Sequence, residues 1–196
     1  MARYGKEHKQ QTRQRIIAAA GRRLKQDGID GSGVAALMAD ADLTNGAFYA
    51  HFGSKDELVA AAVADQLRSQ QEWIGALAGT GRAGLEQIAR EYLSPEHRDN
   101  LGGGCASAAL LDEIGRCNEA TRMSYTDGVM GVVDALAAVL VDQPDRNTAH
   151  MTALGIYALL TGTLQLSRAI TDRKLADEIL EQGIANTLAL PGVPDG

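Results

Sequence analysis

The residues best suited to chemistry lie close together, in one short segment that ends at Phe52. The polar and small members of this segment are Thr44, Asn45, Gly46, Ala47 and Tyr49. Phe48 and Phe52 are four residues apart, so on a helix both rings lie on one side and leave the polar groups on the other. Hydroxyl and amide groups in that setting recognise rather than catalyse, because they can hydrogen-bond to base edges in the DNA major groove.

Helices must position these groups, because the hydrophobic spacing is helical along nearly the whole chain. No segment shows the period of two that marks a strand, which predicts an all-α fold of about nine helices. The predicted helices cover about 9–27, a segment capped by Ser32, a short segment capped by Thr44, and then 54–77, 84–93, 105–116, 118–141, 146–170 and 172–190. Gly28 is expected to stop the first helix, Ser54 to Glu57 form a capping box, and 94–104 is expected to be a loop.

The second and third helices are short and are joined by Ala41, Asp42 and Leu43, which is the size of a helix-turn-helix. We therefore expect a helix-turn-helix DNA-binding domain over residues 1–53 and a helical effector-binding and dimerisation domain over 54–196. Gly46 is a poor helix former, so bulk is unwelcome at its position. Either DNA approaches the backbone there, or a neighbouring helix packs against it.

The distribution of charge supports a polyanionic partner at one end of the molecule. The formal net charge is -6, but residues 1–25 carry eight basic side chains and one acidic one. Residues 61–196 carry ten basic and eighteen acidic side chains. A basic arm on an acidic body would be drawn to DNA by one end only, whereas the alternative is an ordinary solvated basic helix.

Cys105 is the one candidate for nucleophilic chemistry. It follows three glycines at the start of a predicted helix, and a helix N-terminus favours the reactive thiolate. We therefore consider Cys105 a possible sensor of oxidants or electrophiles, against the alternative of a small buried residue at a helix start. Two cysteines make no disulfide framework, and His97 and His150 make no metal-ligand spacing with them, so neither a metal nor a cofactor is expected.

Residues 12–63 resemble the N-terminal domain of the TetR/AcrR family of regulators. The resemblance lies in residues 15–17, in 28–32 before the second helix, and most strongly in 43–58, which read LTNGAFYAHFGSKDEL. It implies that Tyr49 and His51 contact the phosphate backbone, and that Lys55 binds a phosphate at the start of the fourth helix. Thr44 and Asn45 are the expected groove contacts. Ser32 could donate to a phosphate as well as cap its helix.

For each implied contact a structural alternative stays open. Tyr49 could be a partly buried structural tyrosine, His51 could cap carbonyl groups at its helix end, and Lys55 could be solvated. The family often has a polar residue where this chain has Gly33, so one backbone contact could be missing.

The resemblance also implies a homodimer and an effector pocket. The dimer would form through helices near 146–170 and 172–190, where Gly155 and Gly162 allow close packing; the alternative is that this apolar stripe is internal core. The pocket between the fourth and eighth helices would be lined by Trp73, Tyr92, Leu110, Met123, Tyr125, Met130 and Tyr157. Some family members sense electrophiles through a cysteine in a similar Gly-Cys setting.

These features predict a non-enzymatic transcriptional regulator, most often a repressor, released from a palindromic operator by a small molecule. A sensor of the same fold that uses Cys105 is the alternative. A helical-bundle enzyme or binding protein has no Ser-His-Asp set, phosphate loop or paired Glu-x-x-His motif to support it. An architectural DNA protein would not need so long a body. We expect a cytoplasmic location, because the chain has no signal peptide and no apolar run long enough to cross a membrane.

Overall fold

A computed structural model of the chain describes residues 2–141 and 144–190, with no side chain described before residue 7. Within these residues the fold is all-α, as predicted, and contains no strand. The helices are α1 (Ala2–Asp27), α2 (Val34–Ala39), the 3₁₀ helix η1 (Asn45–Ala50), α3 (Lys55–Gly75), α4 (Gly81–Tyr92), α5 (Pro95–Asp99), α6 (Ala106–Ile114), α7 (Glu119–Val139), α8 (Arg146–Ala169) and α9 (Arg173–Leu188).

Two predicted helix boundaries are confirmed by their local chemistry. Gly28 has a φ of +79° and donates its N–H to the carbonyl of Leu24, so it ends α1 in a left-handed turn. Ser54 accepts a hydrogen bond from the N–H of Glu57, and the Glu57 carboxylate accepts one from the N–H of Gly53. The capping box therefore fixes where α3 begins.

Two local features depart from the expected elements. The segment 94–104 is not all loop, because Ser94 caps the N–H of His97 and Pro95 sits in the first turn, which starts the short helix α5. The third element is a 3₁₀ helix, since it has only six residues and includes Gly46, and 3₁₀ geometry is common in pieces this short.

The three N-terminal helices, α1, α2 and η1, form a compact trihelical unit around buried apolar side chains. Phe48 and Phe52 are buried and their rings stack with centroids 5.9 Å apart. Asp42 takes the left-handed conformation, with a φ of 55°, in the turn between α2 and η1, a conformation that aspartate tolerates better than most residues. This turn sets the angle at which η1 leaves α2.

The body is built on α3, which packs lengthwise against α7, and on the pair α8 and α9. Gly128 of α7 permits the close packing of α3 against α7. A Cβ at this position would lie only 2.6 Å from a methyl carbon of Leu67 on α3. The core is continuous from the trihelical unit into the body, since α1 packs on both α3 and α6. None of the helices in the described parts of the chain combines the length and apolar character that a membrane span needs.

Candidate nucleic-acid interface and effector cavity

The polar face of η1 is open. Thr44, Asn45 and Gly46 are exposed, and Tyr49 has 75% of its surface accessible, which rules out the alternative that it is a partly buried structural tyrosine. Phe48 faces the opposite way and is 1% exposed. The predicted division of this segment into an anchored side and a free side holds for these residues, whereas Ala47, predicted to lie on the free side, is half-buried against the core.

Gly46 and Thr44 both leave room for a partner on this face. A Cβ at Gly46 would meet no atom within 4 Å, so packing against a neighbouring helix does not explain the glycine. Thr44 occupies the N-cap position of η1, but its side chain makes no capping hydrogen bond. Its hydroxyl group thus remains available to a ligand.

His51 lies at the end of η1 and is half-buried. Its Nδ1 is buried and has no hydrogen-bond partner among the described residues, so this nitrogen does not cap a carbonyl group. The pKa of His51 lies below its ordinary value of 6.5, first because of burial and then because Lys9 and Arg13 repel the imidazolium form. The ring is therefore neutral at pH 7.

Lys55 is tied to the trihelical unit rather than solvated. Its Nζ donates a hydrogen bond to the carbonyl oxygen of Ile29 at 2.6 Å, which joins the first residue of α3 to the loop before α2. An ammonium group has three donors, so a phosphate contact by Lys55 stays a prediction.

The prediction that Ser32 caps α2 is wrong. Gly33 holds the N-cap position and makes no side-chain bond. Ser32 is fully buried and its hydroxyl group donates to the carbonyl oxygen of Gly28 at 2.7 Å. The side chain therefore braces the loop from inside and presents no group to the surface.

A cavity of about 320 Å³ opens in the body beside the start of α6. Its lining residues come from α3, α4, α5 and the glycine loop: Gln66, Ser69, Gln70, Trp73, Glu91, Tyr92, His97, Gly103, Gly104 and Cys105. The α3 members follow the spacing of one helix face. The wall therefore combines two aromatic rings with two amides, a serine hydroxyl group, a carboxylate, an imidazole and a thiol.

The predicted pocket residues are only partly brought together here. Trp73 and Tyr92 line the cavity, whereas Tyr125 and Tyr157 lie behind it in a hydrogen-bonded chain. Leu110 is a core residue against α1 and α3. Met123 is 59% exposed on the surface and Met130 is half-buried outside the lining. Selecting aromatic and methionine side chains missed the amide face of α3, which its helical spacing could have revealed.

Cys105 is at the centre of a polar cluster. It is 8% exposed, and its Sγ lies 3.4 Å from Oε1 of Gln70 and 3.7 Å from the hydroxyl oxygen of Tyr157. Its N–H donates to Nε2 of His97 at 2.8 Å, while Nδ1 of His97 lies 2.7 Å from the carbonyl oxygen of Tyr92. These two bonds require a neutral His97 with its proton on Nδ1, and burial of the ring lowers the pKa of His97 accordingly.

Two contacts tie the ends of α6 to the trihelical unit. Lys25 of α1 is 4% exposed and its Nζ donates to Oε1 of Gln66 at 2.5 Å and to the carbonyl oxygen of Gly104 at 2.7 Å. Burial lowers the pKa of Lys25 to about 8, although the nearby Cys105 opposes the shift. At the other end, the carboxylate of Glu113 accepts the N–H groups of Ile29 and Asp30 at 2.7 and 3.2 Å.

One face of α8 is apolar, small and uncovered in the single chain. Leu154 and Leu166 are exposed, and a Cβ at Gly155 or Gly162 would meet nothing within 4 Å. On α9, by contrast, Leu180 and Ile184 of the predicted dimer interface are buried in the chain's own core. The alternative of internal core therefore holds for part of the predicted dimer stripe. Within the described residues no group of His, Cys, Asp and Glu is arranged to hold a metal ion.

The described residues thus combine a helix-turn-helix, whose polar face is open, with a helical body that contains a cavity. Residues 16–62 match the family model of bacterial regulatory proteins of the tetR family. The resemblance of this segment to the family, inferred from the sequence, is confirmed. No curated protein matches the chain.

Solved structures of similar fold extend over nearly the whole chain. The reduced form of NemR from E. coli is 21% identical, with a TM-score of 0.79 over 95% of this chain and 100% of that one. A TetR-family regulator from Agrobacterium tumefaciens is 20% identical, with a TM-score of 0.73 over 91% and 98%. FadR from Bacillus subtilis, in complex with stearoyl-CoA, is 14% identical, with a TM-score of 0.58 over 88% and 97%.

Proposed function

We propose that the protein is a homodimeric transcriptional repressor that leaves a palindromic operator when a small molecule enters the cavity beside Cys105. The observation that carries the proposal is the open face of η1, on which Thr44, Asn45 and Tyr49 are exposed and Gly46 leaves space. Side chains of this kind read base edges and hold phosphates.

A gel shift with the DNA upstream of the protein's own gene tests DNA binding. We expect Tyr49→Ala to weaken binding to all sequences and Asn45→Ala to relax preference at one base pair. Thr80, which donates to a backbone carbonyl far from η1, provides the control variant Thr80→Ser. If the protein binds no palindrome from that region or from a random pool, the regulator proposal fails.

The exposed face of α8 supports the dimer. Glycines seven residues apart allow a second copy of the helix to approach closely, and Leu166 is 53% exposed on the same face. We expect Leu166→Glu to give a monomer in analytical ultracentrifugation and to lose operator affinity. Met123→Glu, at an equally exposed apolar residue of α7, should leave the dimer intact; a dimeric Leu166→Glu protein would contradict this interface.

The two contacts at the ends of α6 support a coupling between the cavity and the trihelical unit that carries η1. Gly104 and Cys105 line the cavity, and Gly104 also accepts the hydrogen bond from Lys25 of α1. A ligand that needs a different position of α6 would bind one conformation better than the other and shift the population. We expect Glu113→Ala to bind the operator but to respond less to effector, because the far end of α6 is then released.

A second candidate function uses the thiol of Cys105 itself, since Cys105 lies in the cavity wall and follows Gly104, whose carbonyl oxygen accepts a hydrogen bond from the ammonium group of Lys25. The similar fold of NemR, whose structure is that of a reduced form, favours it. In the proposed sensing reaction, the thiolate sulfur of Cys105 adds to the β carbon of a conjugated carbonyl compound. The electron pair of the carbon–carbon double bond moves towards the carbonyl oxygen, and a proton then reaches the α carbon.

Alkylation by iodoacetamide at pH 7 tests the second candidate, with Cys117 as the internal control. Burial raises the pKa of Cys117, so we expect Cys105 to react first, with loss of iodide, and operator affinity to fall. A Cys105→Ser protein should keep its affinity after the same treatment. If peptide mapping finds Cys105 unmodified in the folded protein, the thiol is not a sensor.

A further inference from the structure

Two cations lie behind one end of the cavity, and neither forms an ion pair with a carboxylate of the described residues. Lys25 of α1 is 4% exposed, and its Nζ bonds only to Oε1 of Gln66 and the carbonyl oxygen of Gly104. Arg168 of α8 is half-buried and bonds only to carbonyl oxygens of α5, while one of its guanidinium nitrogens is buried without a partner. Buried charges are normally paired, so the positive charge here lacks its complement.

Both cations converge on Gly104, which lines the cavity. Lys25 donates to its carbonyl oxygen at 2.7 Å, and a Cβ at Gly104 would lie 2.9 Å from a guanidinium nitrogen of Arg168. Because α6 begins at the same place, with Cys105 at its N-cap, the positive end of the helix dipole adds to them. Neither cation lines the cavity, so both act on its contents through their field. We call Gly104, Cys105 and the neighbouring Gln70 the cationic end of the cavity.

Gln70 supplies an open hydrogen-bond donor at the cationic end. Its Oε1 accepts hydrogen bonds from the thiol of Cys105 and the hydroxyl group of Tyr157, both at 3.4 Å. Its Nε2 has no partner among the described residues and is not buried, so an amide NH₂ group is left for a ligand. His97 adds no charge, because both of its ring nitrogens are already bonded. An acceptor oxygen therefore suits the space beside Gln70.

The rest of the wall suits a flat apolar body. Trp73, one turn after Gln70 on α3, lines the cavity together with the ring of Tyr92. The carboxylate of Glu91 also lines it, but Glu91 is exposed and accepts a hydrogen bond from Gln87. Water and salt screen this exposed charge more than they screen the buried charge of Lys25. The volume of about 320 Å³ is near the lower end for ligand sites, which favours a compact ligand with a small ring system.

We propose that the cavity binds a small aromatic carboxylate, with the carboxylate group beside Nε2 of Gln70 and the ring against Trp73. The carboxylate accepts hydrogen bonds from the Gln70 amide and supplies the counter-charge that Lys25 and Arg168 lack. No covalent bond forms, so this binding is distinct from thiol addition at Cys105. The inference rests on the proposed effector cavity and adds the chemical class of the effector.

Isothermal titration calorimetry of the full chain tests the class with benzoate and 2-naphthoate. Benzamide and 2-naphthamide are the matched neutral compounds, and benzylamine and 2-naphthylmethylamine are the cationic ones. We expect each carboxylate to bind about tenfold more tightly than its amide, because charge-assisted hydrogen bonds are roughly twice as strong as neutral ones. The amines should bind most weakly. Tighter binding of the amides or amines, or no binding of either carboxylate, overturns the proposal.

A charge swap at Gln70 tests the position of the carboxylate. Gln70→Glu keeps an acceptor for Cys105 and Tyr157 but replaces the NH₂ group with an anionic oxygen, so it should abolish carboxylate binding. Gln71→Glu makes the same change one residue along α3, on the side that meets Gly131 of α7, and should keep most of the affinity. Equal losses in the two variants would contradict a contact with Gln70.

The affinity ratio of carboxylate to amide tests the contribution of the buried cation. Lys25→Met should lower carboxylate affinity about tenfold and leave amide affinity within about twofold, because only the charged ligand senses the field. A purely structural role of Lys25 would weaken both ligands alike and overturn the electrostatic argument. Glu91→Gln, at an exposed residue that does not support the core, should raise carboxylate affinity about twofold. A lower carboxylate affinity in Glu91→Gln would contradict the proposed ligand charge even if Lys25→Met does not fold.

Trp73 reports where the ligand sits, because it is the single tryptophan of the sequence. We expect 4-nitrobenzoate to quench its emission in the wild-type protein and 2-naphthoate to displace the quencher. Calorimetric binding without quenching would place the carboxylate outside the cavity and overturn the proposal. Operator binding without carboxylate binding overturns this inference alone, whereas carboxylate binding without operator binding overturns the regulator proposal and leaves this site in place.

Discussion

The recognition face and the cavity wall use side chains in opposite ways. On η1 the candidate contact groups are exposed, make few bonds within the protein and are held in place by the buried Phe48. Around Cys105 the candidate groups are buried and bonded to one another, as in the contact of Tyr157 with Ser107 at 2.7 Å. Substitutions on the first surface should therefore change binding without changing stability, whereas substitutions in the second region should change both.

The sharpest test of this contrast compares two adjacent residues of η1. Phe48→Ala removes a buried ring and should lower the free energy of unfolding by about 3–5 kcal/mol. Tyr49→Ala removes an exposed ring and should leave stability within about 0.5 kcal/mol while weakening operator binding. Urea unfolding and gel shifts on the two purified variants measure both effects. Equal losses of stability would mean that Tyr49 also anchors the element.

A titration of stability tests the cavity side, through Lys25. The pKa of this lysine is lowered from 10.5 to about 8 by burial, so between these pH values the unfolded chain binds more protons than the folded one. The penalty for the buried charge is present below pH 8 and is relieved as pH rises towards 10.5. The folding constant of the wild-type protein should therefore rise relative to that of Lys25→Met, by at most about tenfold per pH unit.

Thermal or urea unfolding of both proteins at pH 7, 8, 9 and 10 measures the difference. Because the two proteins share every other titratable group, the difference isolates Lys25. A constant difference across this range would show that the ammonium group is not held in a low-dielectric site.

The same contrast explains how much of the molecule could be predicted from its sequence. Gly28, the Ser54 capping box and the spacing of Phe48 and Phe52 act locally, and their predicted roles are confirmed. The prediction for Ser32 failed because α2 begins one residue later than expected, with Gly33 at its N-cap, and the Ser32 hydroxyl group donates to the carbonyl of Gly28 instead. Local chemistry therefore predicts elements well, and fails where a helix boundary shifts by one residue.

The contacts that join the two regions could not be predicted, because they bridge residues far apart in sequence. Glu113 lies more than eighty positions from Ile29, and Lys25 nearly eighty from Gly104. Neither pair carries a spacing signal, and a lone lysine on a basic helix reads as a solvated residue. The packing of α6 against α1 brings them together, and that packing depends on the whole fold.

An intermediate effect is expected for the hydroxyl chain behind the cavity. Tyr157→Phe removes the hydroxyl group that bonds to Ser107 and takes one donor from Oε1 of Gln70, which should cost about 1–3 kcal/mol. Tyr125→Phe removes only the outermost donor of the chain and should cost about 1 kcal/mol. Urea unfolding ranks them; a smaller loss for Tyr157→Phe would show that the chain does not stabilise the wall.

A small change in stability of the opposite sign, a gain, is expected on the recognition face at Gly46. A Cβ there meets no atom of the protein, so Gly46→Ala should raise stability by about 0.4–1 kcal/mol through the lower entropy of the unfolded chain. Gly75→Ala, at the end of α3 and equally free of neighbours, should give a similar gain and is the control. Only Gly46→Ala should weaken operator binding, because the added methyl group stands between the backbone of η1 and the DNA. If both variants bind the operator as the wild-type protein does, the space at Gly46 is not filled by DNA, and the glycine reflects the 3₁₀ geometry of η1 alone.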